Sequence, residues 1–177
     1  VKVLAEECSE LDAIAPLEVV GVMTGSSGTE RARDVVVVGT WPTYQVVHET
    51  EVAVGRFLTD PDMRSKAPVA VIGRDVAEAL YPGLDAVGKL VTLAGRQMTV
   101  IGVLKPKGQF LGQSQDNVAL VPVGSLGGSG VARLAVDARP RSTERLLDAV
   151  EQLRGVLRRG RRLRFFERDN FAIFGQD

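Results

Sequence analysis

The segment from Val38 to Lys107 limits the possible folds more than any other part of this chain. It is rich in β-branched residues, punctuated by glycine, and gathers no usable set of catalytic side chains. Val69-Ala70-Val71-Ile72 is four apolar residues in a row between turn-forming neighbours. A run this short, with neither helical spacing nor alternation, reads as a buried strand. Val35 to Val38, leading into the segment and sharing its first residue, has the same character and predicts a strand covered on both faces. A region so folded and so poor in chemistry points to a mechanical or binding part rather than an enzyme.

The chain has 177 residues, enough to bury a core as one domain or as two small lobes. Its 22 basic and 22 acidic side chains cancel, so no global field draws in nucleic acid. The single cysteine, Cys8, closes no internal disulfide and anchors no multi-thiolate zinc site. No apolar run approaches the length of a membrane span. The chain opens on Val1 without a methionine and is read as an excised domain whose flanking segments include room for membrane helices.

Leu4, Cys8, Leu11 and Ala15 fall on one helical face, and Pro16 would end that helix. Strands are expected over Leu17 to Met23 and Arg31 to Gly39, around a Gly25–Gly28 turn. Trp41-Pro42 predicts extended backbone, followed by a strand from Val52 to Phe57. A turn or short helix follows at Thr59 to Asp62, and a helix through Val76, Ala77 and Leu80. Lys89–Leu93 and Gln97–Leu104 flank a hairpin turn, and Lys105–Asn117 reads as a loop before a strand from Val118 to Val123. Gly124 to Gly130 is linker-like, either a natural loop or a short engineered splice. A strand around Leu134 and Val136 leads to a helix striped by Leu146, Val150, Leu153 and Leu157, with Gly160 as its C-terminal cap and a last strand from Leu163 to Phe166.

The fold class is therefore α+β. The expected organisation is a discontinuous α/β lobe from residues 1–40 and 130–177, with a β-rich lobe, 41–129, inserted into it.

Candidate chemistry is sparse. His48, beside Glu49 and Glu51, is the only histidine and reads as a surface or turn residue. Cys8 reads as a small buried hydrophobe. Asp60, Asp62 and Asp75 suit caps and turns better than a calcium loop, and Ser26, Ser27 and Ser125 lie in no G-x-S-x-G elbow. No phosphate-binding loop is present. Catalytic, metal and cofactor-binding residues are thus expected to be none. The arginines from Arg154 to Arg168 read as a solvated helix end, with headgroup contact as a second possibility. Phe110 and Leu111, with Gln113, are bulky or polar residues in a flexible loop. They either tuck back onto the β segment or serve as contacts for a partner or transported molecule.

Read together, the motifs resemble the extracytoplasmic core domain of MacB-type ABC transporter permeases. They are Gly39-Thr40 with Pro42 and Tyr44, Gly55-Arg56-Phe57 with Thr59 and Asp62, and Val69 to Gly73 with Val76-Ala77 and Leu80. The series continues with Gly88, Gly95, Val100 to Leu104, Lys107-Gly108, Asp116, Val118 and Val121-Pro122. Arg162-Leu163-Arg164 and Asp169-Asn170-Phe171 resemble the family's exit toward its next membrane helix. The segment after Val123 and the hairpin around Gly25 are shorter than the family pattern.

The resemblance implies that the terminal lobe is Porter-like and the inserted lobe Sabre-like. It implies a non-catalytic part of a cell-membrane protein, on the periplasmic or extracellular side, that passes ATP-driven motion of membrane helices outward for export, efflux or lipoprotein release. The implied partners are a second permease copy, an ATP-binding domain or subunit, the inner membrane, and, in a Gram-negative cell, a periplasmic adaptor and an outer-membrane channel. No cofactor and no nucleic acid are implied. The competing readings are a stand-alone periplasmic ligand-binding module and, less favoured, a secreted hydrolase.

Overall fold

The computed structural model describes residues 7–110, 112–127 and 133–173. The strands are β1 (Leu11–Ser27), β2 (Glu30–Thr40), β3 (Val52–Gly55), β4 (Val69–Ile72), β5 (Leu90–Leu93), β6 (Arg96–Leu104), β7 (Gln109–Phe110), β8 (Gln113–Ser114), β9 (Val118–Pro122) and β10 (Arg133–Pro140). The helices are α1 (Tyr44–Val47), α2 (Asp60–Ser65), α3 (Arg74–Leu80) and α4 (Leu146–Gly160), with a 3-10 turn at Thr143–Arg145. The class is α+β.

The unbroken apolar runs of β4 and β9 follow from their place in the sheet. The strand path is β10-β1-β2-β9-β4-β6-β3, with β5 pairing β1 and β6 off that path. β2 runs parallel to β9, β9 antiparallel to β4, and β4 parallel to β6. Successive residues of the central strands face opposite sides. Ala70, Ile72, Ala119 and Val121 enter one core cluster, while Val71 and Leu120 enter another. Both faces are covered, so neither strand needs a polar residue. α3 lays Val76, Ala77 and Leu80 on the first face, and Phe57, Leu58 and Tyr44 pack on the second. β2 obeys the same rule only in part: Val35, Val37 and Val38 are buried, but Val36 is exposed.

The chain divides into a larger unit, Ala15–Val136, and a smaller one, Val1–Ile14 with Asp137–Asp177. This division differs from boundaries at residues 40/41 and 129/130. Val36–Thr40 of β2 is in parallel register with Val118–Pro122 of β9, which ties residues 15–40 into the sheet of the segment expected to be inserted.

Four local expectations are corrected. No helix covers Leu11–Ala15, because those residues open β1, whose neighbours in the sheet supply the pairing. The stripe of α4 is rotated: Ala149 and Val156 are its buried residues, with Leu153 and Leu157 packed beside them. Gly160 is still helical, and the left-handed residue is Arg162, at φ 55°. There the N–H of Leu163 donates to the carbonyl of Arg158, and that of Arg162 to Arg159, the paired bonds of a Schellman ending. Leu163 to Phe166 consequently turns instead of forming a strand.

Candidate functional site

The loop from Lys105 to Asn117 is a braced hairpin rather than loose chain. β7 and β8 pair with Gln109 opposite Ser114 and Phe110 opposite Gln113, so the backbone brings together two of the three contact residues expected from sequence. Leu111 lies outside the described residues. Gly112 has φ +79°, a left-handed conformation in which a side chain would be strained. Gln109, Gln113 and Ser114 are exposed.

Asp116 holds the base of this hairpin. It is 6% exposed, and its carboxylate accepts the N–H of Lys107 at 2.7 Å and of Gly108 at 2.9 Å. The N–H of Gln115 donates to the carbonyl of Gly108 at 2.9 Å. Ser114 Oγ donates to Asp75 Oδ2 at 2.5 Å and accepts the N–H of Asp116 at 3.0 Å. The N–H of Asp75, in the first turn of α3, donates to the carbonyl of Asp116 at 3.2 Å. The two strands of the hairpin are thereby fixed to each other and to the entry of α3. Gly73, the cap of that helix, donates its N–H to the carbonyl of Val118 at 2.8 Å.

On the other side, Lys107 Nζ donates to the carbonyl of His48 at 2.5 Å, and Lys105 forms an ion pair with Glu51. Partial desolvation pulls the Lys107 ammonium below its ordinary value, while Glu49 and Asp116 act in the opposite sense. The bond from Lys105 lowers the Glu51 carboxyl. Tyr44 stacks on His48 with ring centroids 4.0 Å apart. His48 thus sits in a packed turn beside the loop that its carbonyl helps to hold.

Asp62 is also structural. Its carboxylate receives Arg56 Nη1 at 2.6 Å and Nη2 at 3.1 Å, and closes a capping box with Thr59. The Arg56 bond is the main reason its carboxyl lies far below the usual range. Cys8 is 2% exposed, packed with Leu11, Ile14, Ala149 and Val156, and burial raises its thiol. It is buried as expected, but outside any helix. Among the described residues, no group of three or more His, Cys, Asp and Glu is placed to hold a metal ion. No helix among them is long and apolar enough to cross a membrane.

What this arrangement offers is a presented edge of backbone and amide groups on a fixed mount, suited to contact. Sequence reasoning missed the role of Asp116, which it met only as one position in a motif. Its signal was a carboxylate eight residues after Gly108, the right reach to close a short hairpin.

The family model described as the MacB-like periplasmic core domain matches residues 1–155. The macrolide export ATP-binding/permease protein MacB of Rhodospirillum rubrum is 41% identical over 87 residues, 48% of this chain and 13% of that protein. The protein of the same name from Syntrophobacter fumaroxidans is 29% identical over 158 residues, 85% of this chain and 22% of that protein. The chain therefore spans a quarter or less of the length of these curated relatives. Among solved structures, the extracellular domain of the noncanonic ABC-type transporter YknZ from Gram-positive bacteria superposes with a TM-score of 0.73 at 22% identity, covering 90% of this chain and 82% of that one. The periplasmic region of MacB from Actinobacillus actinomycetemcomitans gives 0.71 at 18% identity, covering 88% and 70%. At these identities the two structures support the shared fold alone.

Proposed function

Because this chain belongs to the MacB-like periplasmic core domain family, we propose that it is the extracytoplasmic domain of an ABC-transporter permease, and that it transmits motion of the membrane helices to partners or substrates outside the membrane. ATP hydrolysis belongs, in this reading, to a separate domain or subunit. The transported class is an exported molecule or a released lipoprotein, and the β7–β8 hairpin, with Phe110, Leu111 and Gln113, is the contact point. The partners are a second permease copy and, in a Gram-negative envelope, an adaptor and an outer-membrane channel.

The observation that carries the reading lies inside the smaller unit. The segment before Ala15 and the segment after Val136 are clasped to each other. The N–H of Glu10 donates to Gln152 Oε1 at 3.2 Å, the N–H of Arg141 donates to the carbonyl of Glu10 at 2.9 Å, and Arg159 pairs with Glu7 at 2.6 Å. Displacement applied to either segment is shared by both, as a lever requires.

The test uses the complete transporter in vesicles. Loosening the clasp with a Glu7→Ala, Gln152→Ala double variant, which removes the partner of Arg159 and the acceptor of the Glu10 N–H, is expected to leave ATP hydrolysis in place and abolish transport. Transport at the wild-type rate in that variant counts against transmission. Saturable tight binding of small peptides or antibiotics to the 177-residue chain alone, measured by calorimetry, favours a ligand-binding module instead.

A further inference from the structure

The turn that follows α4 carries two phenylalanines where a soluble protein has no use for them. The N–H of Glu167 donates to the carbonyl of Arg164 at 2.9 Å, which closes a four-residue turn with Phe165 and Phe166 at its two corners. Turn corners favour glycine, proline, asparagine, aspartate and serine. Here Phe165 is 101% exposed and Phe166 78%, so the turn projects two aromatic rings into solvent.

The turn is held in place. The Arg158 side chain reaches from α4 and donates to the carbonyls of Arg164 at 2.7 Å and Glu167 at 3.0 Å, and it pairs with Asp169. Glu167 adds a second closure by accepting the N–H of Arg164 at 2.8 Å. The exposure of the rings is thus built by a brace rather than left by a loose end.

The turn lies in an arginine-rich stretch of the chain. Between residues 154 and 169 there are seven arginines against one glutamate and one aspartate. Arg154 and Arg158 are engaged by Asp169, Arg159 by Glu7, and Arg161 by Asn170 and the Phe171 ring. Arg162, Arg164 and Arg168 are exposed and form no ion pair among the described residues. A turn with two exposed rings, flanked in the chain by the exposed, unpaired guanidinium groups of Arg162, Arg164 and Arg168, matches a surface that is anionic outside and apolar beneath. Arginine pairs bidentately with phosphate, and aromatic rings settle at the headgroup level. A protein partner would instead need a preformed pocket for both rings.

We propose that the Phe165–Phe166 turn, with Arg162, Arg164 and Arg168, docks on the phosphate headgroups of an anionic lipid bilayer. The inference is independent of what the transporter carries and of whether the hairpin contacts a partner.

The test is flotation of the 177-residue chain with vesicles of phosphatidylcholine alone and of phosphatidylcholine with phosphatidylglycerol. One basic side chain near an anionic surface is worth about fivefold in partition, so three free arginines predict a preference on the order of a hundredfold for the anionic vesicles. Raising salt from about 0.1 M to about 0.5 M removes most of that preference. A Phe165→Ser, Phe166→Ser variant is expected to lose roughly tenfold or more of the remaining partition. Leu147→Ser, at another exposed apolar residue, leaves it unchanged. Unaltered thermal unfolding of both variants shows that the fold is kept. Failure of the wild-type chain to float with anionic vesicles, which would turn attention to an acidic protein surface, overturns the proposal. So does equal flotation of the double-serine variant.

Discussion

A Cβ atom placed on Gly73 would lie 2.1 Å from the carbonyl oxygen of Asp116. Gly73 has an ordinary φ of −73°, so conformational freedom is not what it supplies. It supplies space: the backbone before α3 passes directly over the base of the β7–β8 hairpin. Gly73→Ala must push backbone against backbone, with no flexible side chain to give way. The expected cost is about 3 kcal/mol, at the upper end for overpacking, read as a lower urea midpoint with an unchanged slope.

Asp116 itself yields a graded series. Asn at this position keeps the shape but retains one accepting oxygen where two are used, and Ala removes both. Hydrogen bonds to a charged group are worth about 1.5–3 kcal/mol each, and because Lys107 and Gly108 are exposed residues, water replaces part of a lost acceptor. Asp116→Asn is expected to cost about 1–2 kcal/mol and Asp116→Ala about 3–4 kcal/mol. Hydrogen exchange should accelerate first at the Lys107 and Gly108 amides, since those donors face the carboxylate.

Much of this was legible in the sequence where local chemistry and final structure agree. The unbroken run of β4 announced a buried strand, Val118 to Val123 announced a strand without its central place, and Ala94-Gly95, both at positive φ, announced the β5–β6 turn. The capping box at Thr59 and Asp62 is written in a four-residue spacing. What stayed hidden depended on distant partners. Leu11 lies at helical spacing from Cys8 and Ala15, yet it opens a strand because sheet pairing outweighs a weak local preference. Asp116 stands eight residues after Gly108, a reach that suits a short hairpin, but no local pattern says which amides it would receive. Leu163 to Phe166 reads as a strand to anyone expecting glycine to reverse the chain; Arg162 does so instead, and the bracing by Arg158 has no pattern in sequence.

The Asp62 carboxyl links stability to acid. Its bond from Arg56 comes first among the causes that hold it below its ordinary value of 3.8. A lowered folded value means that the unfolded chain takes up this proton first. The stabilisation is therefore fully present above about pH 5, declines below the ordinary value, and is lost as pH falls through the folded one. Arg56 is half exposed, so solvent screening limits the ion-pair share. Asp62→Asn is expected to cost about 1–3 kcal/mol near pH 7. The gap between variant and wild type should narrow in urea titrations at about pH 3. A gap that stays constant over that range would assign the cost to packing instead.

The Arg162 backbone offers a stabilising change. Its φ of 55° lies in the left-handed region, where a side chain crowds the following carbonyl at about 1–2 kcal/mol. The two Schellman bonds to Arg158 and Arg159 fix that conformation, so the strain cannot relax without opening the helix end. Glycine removes the clash but gives the unfolded chain more freedom, at about 0.5–1 kcal/mol. The balance predicts that Arg162→Gly raises stability by about 0.5–1 kcal/mol. Arg162→Val, with a branched side chain at the same φ, should lower it by about 1 kcal/mol or more. Thermal unfolding of the two variants separates these outcomes. Equal melting temperatures would show that the turn between α4 and Phe165 adapts to its occupant, and that the brace from Arg158 alone sets the path of the chain.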